Sequence, residues 1–124
     1  MKVFFTLLSL FSMSVCFGQN LNYQGVTYFS VDGISKEKTQ QHYSHSGLIK
    51  VLESANKIST PSGIYSINSK SVENGIVVYY CTGKDIYLNE APFIIEYDRR
   101  YNRVKIHQVS AETSNNYSVY FLVQ

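Results

Sequence analysis

Glu96 and Asp98 stand two residues apart in a run of apolar and aromatic residues. Side chains of a β-strand alternate between its two faces, so residues at positions i and i+2 lie side by side on one face. A general acid and a general base can use this placement. Two cations, Arg103 and Lys105, occupy matching positions in the next apolar run. Ion pairing with these cations is therefore a sufficient reason for two carboxylates at these positions, and we predict no catalytic role for them.

Three histidines and one cysteine are the other residues with metal-binding or nucleophilic chemistry. His42 and His45 have a spacing that can hold a metal on one helical turn, with His107 as a third ligand. Histidines in a polar segment are more often simply hydrated. Cys81 can act as a nucleophile with His107 as its base, but its apolar neighbours are typical of an inert buried thiol. We predict no metal site, no cofactor and no catalytic residue.

Basic and aromatic residues are interleaved next to the two carboxylates. They are Tyr97, Arg99, Arg100, Tyr101, Arg103 and Lys105. Such a cluster can contact an anionic glycan or a lipid head group. Solvated charge around an ordinary turn gives the same pattern and is the interpretation that we favour for this cluster.

The residues around this cluster predict a β-hairpin with a defined register. A four-residue turn over residues 99–102 places opposite charges across from each other on one face and apolar residues across from each other on the other face. The predicted pairs are Asp98 with Arg103, Glu96 with Lys105, Ile94 with His107, Tyr97 with Val104 and Ile95 with Ile106. A slip of one residue would destroy both sets of pairs.

A second hairpin is predicted around Gly83 and Lys84, because glycine suits the first central position of a type II′ turn. This turn places Cys81 across from Ile86, Tyr79 across from Leu88 and Tyr80 across from Tyr87.

Both faces of the strand before that turn are apolar. One face carries Val77, Tyr79 and Cys81, and the other carries Ile76, Val78 and Tyr80. A central strand between two packed layers explains this pattern, and so does a strand with the core on one side and a binding surface on the other. The candidate ligand-binding residues are Ile76, Val78, Tyr80 and Tyr87.

Short runs rich in Val, Ile, Tyr and Phe recur about every ten residues between clusters of Gly, Asn, Ser and Asp. The predicted strands are residues 23–31, 48–53, 56–60, 64–67, 76–81, 85–88, 93–98, 103–109 and 117–123. Residues 35–45 have low β-propensity and predict a helical turn or a loop. With no helix long enough for a parallel crossover, we expect an all-β fold, a single small antiparallel meander that closes as a barrel or a sandwich.

The first eighteen residues predict a signal peptide, followed by one β domain over residues 19–124. Lys2 precedes an apolar run over residues 3–15, and Cys16 and Gly18 supply small residues before Gln19. This run is shorter than the roughly twenty apolar residues of a membrane-spanning helix, so we expect no transmembrane span in the mature chain. Lipid attachment at Cys16 is the alternative, and the residues just before that cysteine, Met13 to Val15, do not fit a lipidation signal.

The charge balance and the amino-acid composition limit the classes of binding partner that we expect. Without Lys2 the chain carries ten basic and nine acidic residues, a balance that predicts no nucleic-acid partner. All eleven tyrosines follow the signal peptide, and Tyr suits half-buried strand positions and binding surfaces equally. We therefore expect a secreted or periplasmic, non-catalytic domain that binds a protein, a glycan or a small apolar ligand. The alternatives are an assembly or adhesion subunit that pairs edge strands and, third, a small secreted enzyme.

Overall fold

The computed structural model describes residues 19–85, 87–109 and 116–123. The predicted signal peptide and Ile86, the expected partner of Cys81, lie outside these residues.

Strands make up nearly all of the described chain. Their bounds are β1 Gln19–Val31, β2 Lys38–Tyr43, β3 Gly47–Leu52, β4 Lys57–Thr60, β5 Gly63–Glu73, β6 Ile76–Lys84, β7 Glu90–Asp98, β8 Arg103–Gln108 and β9 Asn116–Val123. A short 3₁₀ helix, Glu53–Ala55, joins β3 to β4. Within the described ranges no helix has the length and apolar character needed to cross a membrane.

Eight of the strands close into an antiparallel barrel. Each strand from β3 to β9 pairs with its neighbour in the sequence, and β1 pairs with β3 near its start and with β9 along the rest of its length. The pairing of β1 with β9 joins the two ends of the sheet, so the barrel is closed. This confirms the predicted all-β antiparallel fold and assigns it to a barrel instead of a sandwich.

The hydrophobic core fills the interior of the barrel, because alternate residues of each strand point inward. Tyr23 and Phe121 are 1% and 2% exposed, and their ring centroids lie 4.9 Å apart in an edge-to-face contact. The other buried hydrophobic residues are Leu21, Val26, Ile49, Val51, Ile58, Tyr65, Val77, Tyr79, Cys81, Ala91, Phe93, Ile95, Tyr97, Val104, Ile106 and Val123.

Strand β2 corrects the prediction of a helical turn or loop over residues 35–45. All six of its residues are exposed, and it pairs with the second half of β1 outside the closed barrel. The connecting turn is held by Asp32, whose Oδ1 accepts hydrogen bonds of 2.9 Å from the backbone N–H groups of Ile34 and Ser35. Pairing with β1 therefore overrides the low β-propensity of this segment.

The hairpin between β6 and β7 also differs from its prediction. Strand β6 continues through Gly83 to Lys84, which pairs with Glu90, and a five-residue loop follows instead of a type II′ turn. In this loop Asp85 Oδ1 accepts hydrogen bonds of 2.9 Å from the backbone N–H groups of Tyr87 and Asn89.

This longer hairpin changes every predicted pair. Phe93 lies across from Cys81, Ile95 across from Tyr79 and Ile94 across from Tyr80. The described residues of the predicted strand over residues 85–88, which are Asp85, Tyr87 and Leu88, form no strand, and the predicted pairing of Tyr80 with Tyr87 is wrong.

The hairpin between β7 and β8 confirms its prediction pair by pair. Asp98 lies across from Arg103, Glu96 from Lys105, Ile94 from His107, Tyr97 from Val104 and Ile95 from Ile106.

Candidate functional site

The two apolar faces of β6 have different environments. Val77, Tyr79 and Cys81 point into the barrel and are 2–3% exposed. On the outside, Ile76 and Val78 are half-buried and Tyr80 is 45% exposed. The inward face of β6 therefore packs in the core, and three of the four candidate residues lie on its outward face.

Tyr87 is not part of this group. It lies in the loop after β6 and is 77% exposed. The structure thus brings Ile76, Val78 and Tyr80 together on one strand and places Tyr87 beyond the end of that strand.

The outward-facing residues of β6, β7, β8 and β9 form a continuous surface, which we call the outer wall. Strand pairing arranges them in three rows across the four strands. The rows are Tyr80, Ile94, His107 and Ser118; then Val78, Glu96, Lys105 and Tyr120; then Ile76, Asp98, Arg103 and Leu122.

Two cations of the outer wall lie over one aromatic ring. The Arg103 guanidinium carbon is 5.5 Å and Lys105 Nζ is 5.6 Å from the ring centroid of Tyr120. Arg103 is also 5.4 Å from the ring centroid of Tyr101. These distances are those of cation–π contacts.

Sequence reasoning missed Tyr120. In β9 the apolar residues alternate from Tyr117 to Val123, and this pattern predicts a core-facing side of the strand. Tyr120 lies between these residues and was therefore not selected as a candidate. Its position across from Lys105 depends on the pairing of β8 with β9. The available signal was an aromatic residue between Ser118 and Leu122 on the less apolar face of the last strand.

Asp98 has a structural role at the turn after β7. Its carboxylate is 6% exposed and accepts hydrogen bonds from the Arg100 side chain at 3.1 and 3.2 Å and from the Arg100 backbone N–H at 3.1 Å. The Arg100 guanidinium holds the pKa of Asp98 below its usual value. Asp98 is therefore ionised and already paired, which does not suit a general acid.

A cleft of about 170 Å³ opens on the outer wall beside this ion pair. Its lining contains negatively and positively charged side chains, one aromatic ring and one aliphatic side chain. The lining residues are Ile76, Glu96, Asp98, Arg100, Arg103, Lys105 and Tyr120. The cleft thus includes one residue of the predicted apolar site, Ile76, together with Arg100, Arg103 and Lys105 of the predicted basic cluster.

His107 lies next to this cleft on the same wall. Burial lowers the pKa of its imidazole, nearby Lys105 lowers it further, and Glu96 acts in the opposite direction. Its Nδ1 atom is buried and has no hydrogen-bond partner among the described residues. The imidazole is therefore predominantly neutral at pH 7.

We expect this histidine to make the domain less stable in mild acid. A histidine with a folded-state pKa below its ordinary value of 6.5 binds a proton more weakly when folded, so the free energy of unfolding decreases as the pH falls below about 6.5. Denaturant unfolding from pH 7.5 to pH 5 measures this. In His107→Gln the slope over this range should become clearly smaller, and an unchanged slope would assign the effect to another group.

The three histidines do not assemble into a metal site. His42 lies on β2 with its Nδ1 atom 2.8 Å from Thr27 Oγ1, while His45 packs edge-on to the Tyr23 ring at 6.1 Å. No group of three metal-ligating side chains occurs within the part of the chain that the structure describes.

Cys81 and His107 point to opposite sides of the barrel wall. The thiol is 3% exposed in the core, where burial raises its pKa to about 11. His107 faces outward two strands away. The structure therefore gives Cys81 no contact with the base that nucleophilic catalysis requires.

We expect the native Cys81 thiol to react with a thiol reagent only when the domain opens. Labelling with an aromatic disulfide at pH 8 should be slow for the folded protein. In denaturant the same thiol should react at once, which serves as the internal control. Rapid stoichiometric labelling of the folded protein would contradict the burial of this side chain.

Comparisons with protein-family models, with curated proteins and with solved structures find no match to this chain.

Proposed function

We propose that this chain is an exported, non-catalytic binding domain whose outer wall receives its ligand or partner. The observation that carries the proposal is the exposed apolar face of β6. Tyr80 is 45% exposed beside Ile76 and Val78, although the opposite face already supplies the core. On the neighbouring strand β5, the residues across from these three are Ser69, Ser71 and Glu73, which is the usual polar exterior.

The interior of the barrel favours an external site. Barrels of eight strands either fill with side chains or hold one small ligand. Here Tyr23, Phe121 and Ile95 are among the large side chains inside, with 1–2% exposure. A protein or glycan on the outer wall fits this packing better than a small apolar molecule in the centre.

The positions of the reactive residues favour binding over catalysis. Cys81 lies in the core, His107 lies outside, and Asp98 is paired with Arg100. Catalytic groups need to converge on one reacting atom. These three do not converge.

The proposal can be tested by mapping ligands on the purified exported protein with ¹⁵N NMR. Oligosaccharides, peptides and small apolar compounds are added in turn, and amide shift changes are followed by residue. We expect a binder to perturb β6 to β9. Tyr80→Ala should weaken its binding about tenfold or more and leave the melting temperature nearly unchanged.

Tyr87→Ala provides the matched control, because it removes an equally large exposed ring outside the outer wall. Its affinity should equal that of the wild type. Three outcomes would contradict the proposal. They are shift changes confined to β3, β4 and β5, wild-type affinity in Tyr80→Ala, and the absence of any binder.

One observation favours assembly through strand pairing as a second candidate function. Strand β2 pairs with β1 alone, so its outer edge is a free strand edge. Free edges can accept a strand from another chain. Sedimentation of the protein over a range of concentrations, with proline placed singly along β2, tests this. Oligomers that proline abolishes would support assembly, and a monomer throughout would exclude it.

A further inference from the structure

We propose that Arg103 and Lys105 bind the carboxylate of an acidic oligosaccharide above the Tyr120 ring, and that the sugar chain extends along the outer wall toward Tyr80. This inference rests on the proposed function of the outer wall and names its ligand class.

The first observation is that neither cation forms a close ion pair with a carboxylate, although Arg103 acts on Asp98 at longer range. Lys105 lies across from Glu96, and Arg103 lies across from Asp98. Yet among the residues that the structure describes, neither cation lies within 4.0 Å of a carboxylate oxygen. Asp98 pairs with Arg100 instead.

Both positive groups instead converge on one ring. They lie 5.5 and 5.6 Å from the centroid of Tyr120. A guanidinium offers two parallel N–H donors to a carboxylate, and an ammonium adds a compact charge beside them. The pair therefore forms a receptor for one anionic group, with an aromatic surface next to it.

The acidic residues of the same cleft restrict what this anion can belong to. Glu96 and Asp98 line the cleft together with the cations. The Glu96 carboxylate can accept hydrogen bonds from hydroxyl groups, and both carboxylates repel additional negative charge. A sugar chain that carries one carboxylate per ring among its hydroxyls, as in a chain of uronic acids, matches this lining, because one carboxylate meets the two cations while hydroxyls meet Glu96. A densely anionic membrane surface or a polyphosphate does not.

The spacing of the aromatic rings favours a chain of sugars over a single sugar. Tyr80 on β6 and Tyr120 on β9 are three strands apart on the closed eight-stranded barrel and lie in adjacent rows, so they face different directions around the barrel. The half-buried Ile94 and His107 lie between their strands on the same face. A ligand that reaches both tyrosines must curve around the barrel, which a chain of several sugars can do and a single sugar cannot.

The test is calorimetric titration of the purified exported protein with trigalacturonate at low salt. The methyl-esterified trisaccharide serves as the uncharged probe, because it keeps the same rings without their charge. We expect trigalacturonate to bind about tenfold or more tightly than its methyl ester. Added salt should weaken this binding.

Two double variants locate the charge recognition. R103A/K105A should lose about tenfold or more in affinity for trigalacturonate. K50A/K57A removes the same net charge from exposed positions of β3 and β4 and should bind as the wild type does. Thermal unfolding of both variants verifies that the fold is kept.

The outcomes separate this inference from the proposed function. Equal affinity for the charged and methylated trisaccharides would overturn the carboxylate site, while sensitivity of both to Tyr80→Ala would leave the outer wall as the binding surface. Equal losses in the two double variants would indicate general charge attraction and overturn the inference. Binding to phosphatidylglycerol vesicles without binding to trigalacturonate would do the same, as would the absence of any binding.

Discussion

Tyr79→Ala is expected to lower the free energy of unfolding by about 3–5 kcal/mol, whereas Tyr80→Ala should change it by less than about 1 kcal/mol. The two tyrosines are neighbours on β6 and point to opposite sides of the barrel wall. Tyr79 is 3% exposed, and its hydroxyl donates a 2.9 Å hydrogen bond to Glu53. Tyr80 is 45% exposed, so its removal leaves no cavity.

Urea denaturation of the two variants measures this difference. A domain of this size has a total stability of about 5–15 kcal/mol, so Tyr79→Ala can prevent folding altogether. Tyr79→Phe gives a milder measurement, because it keeps the ring and removes only the hydrogen bond to Glu53, at a cost of about 1 kcal/mol. Equal losses in Tyr79→Ala and Tyr80→Ala would mean that both faces of β6 are core.

Gly83→Ala is expected to destabilise the domain by about 1–3 kcal/mol, even though alanine is a better general strand residue than glycine. A Cβ atom at Gly83 would lie 2.6 Å from Cδ1 of the Tyr65 ring. That ring cannot move aside easily, because it is 5% exposed and packs edge-to-face on Phe93 at 5.0 Å. The extra methyl group must therefore displace core packing.

A second substitution distinguishes this steric cause from a general loss of glycine flexibility. Leucine at position 65 removes the ring that the new methyl group would meet. G83A/Y65L should therefore be more stable than the sum of the two single effects predicts. Strictly additive effects in urea denaturation would show that the contact with Tyr65 is not the cause.

The register of β7 with β8 was predictable because its determinants are local. A short turn brings two charge pairs and two apolar pairs into register at once, and any slip breaks them. The strand pairing of Glu96 with Lys105 followed correctly from these pairs. The ion pair of Asp98 with Arg100 did not follow, because it depends on the conformation of the turn itself.

The environment of Gly83 and the formation of strand β2 were not predictable from local sequence patterns. Gly83 was interpreted as a turn residue, but its reason for being glycine is Tyr65, a residue on another strand. Strand β2 contains no strongly β-forming sequence and forms because β1 offers it an edge. In both cases the determining contact is distant in the sequence.

The candidate site was predictable only in part. Alternation along β6 correctly grouped Ile76 with Val78 and Tyr80, since side chains two residues apart share a face. The sequence could not decide which apolar face is the core, because closure of the barrel determines that. Tyr87 was assigned through the wrong turn, and Tyr120 was missed because its neighbours depend on the pairing of β8 with β9.

The closing pair of strands has a consequence for the folding kinetics of the domain. Tyr23 of β1 pairs with Val123 of β9, so nearly the whole chain lies between two residues that must meet. Closing so long a loop has a large entropic cost that only the final contacts repay, which makes such topologies slow to fold. Until β9 arrives, β1 and β8 both have free edges that can pair with other chains. We therefore expect the last strand to limit the folding rate, and the partly folded chain to need protection from aggregation until that strand has docked.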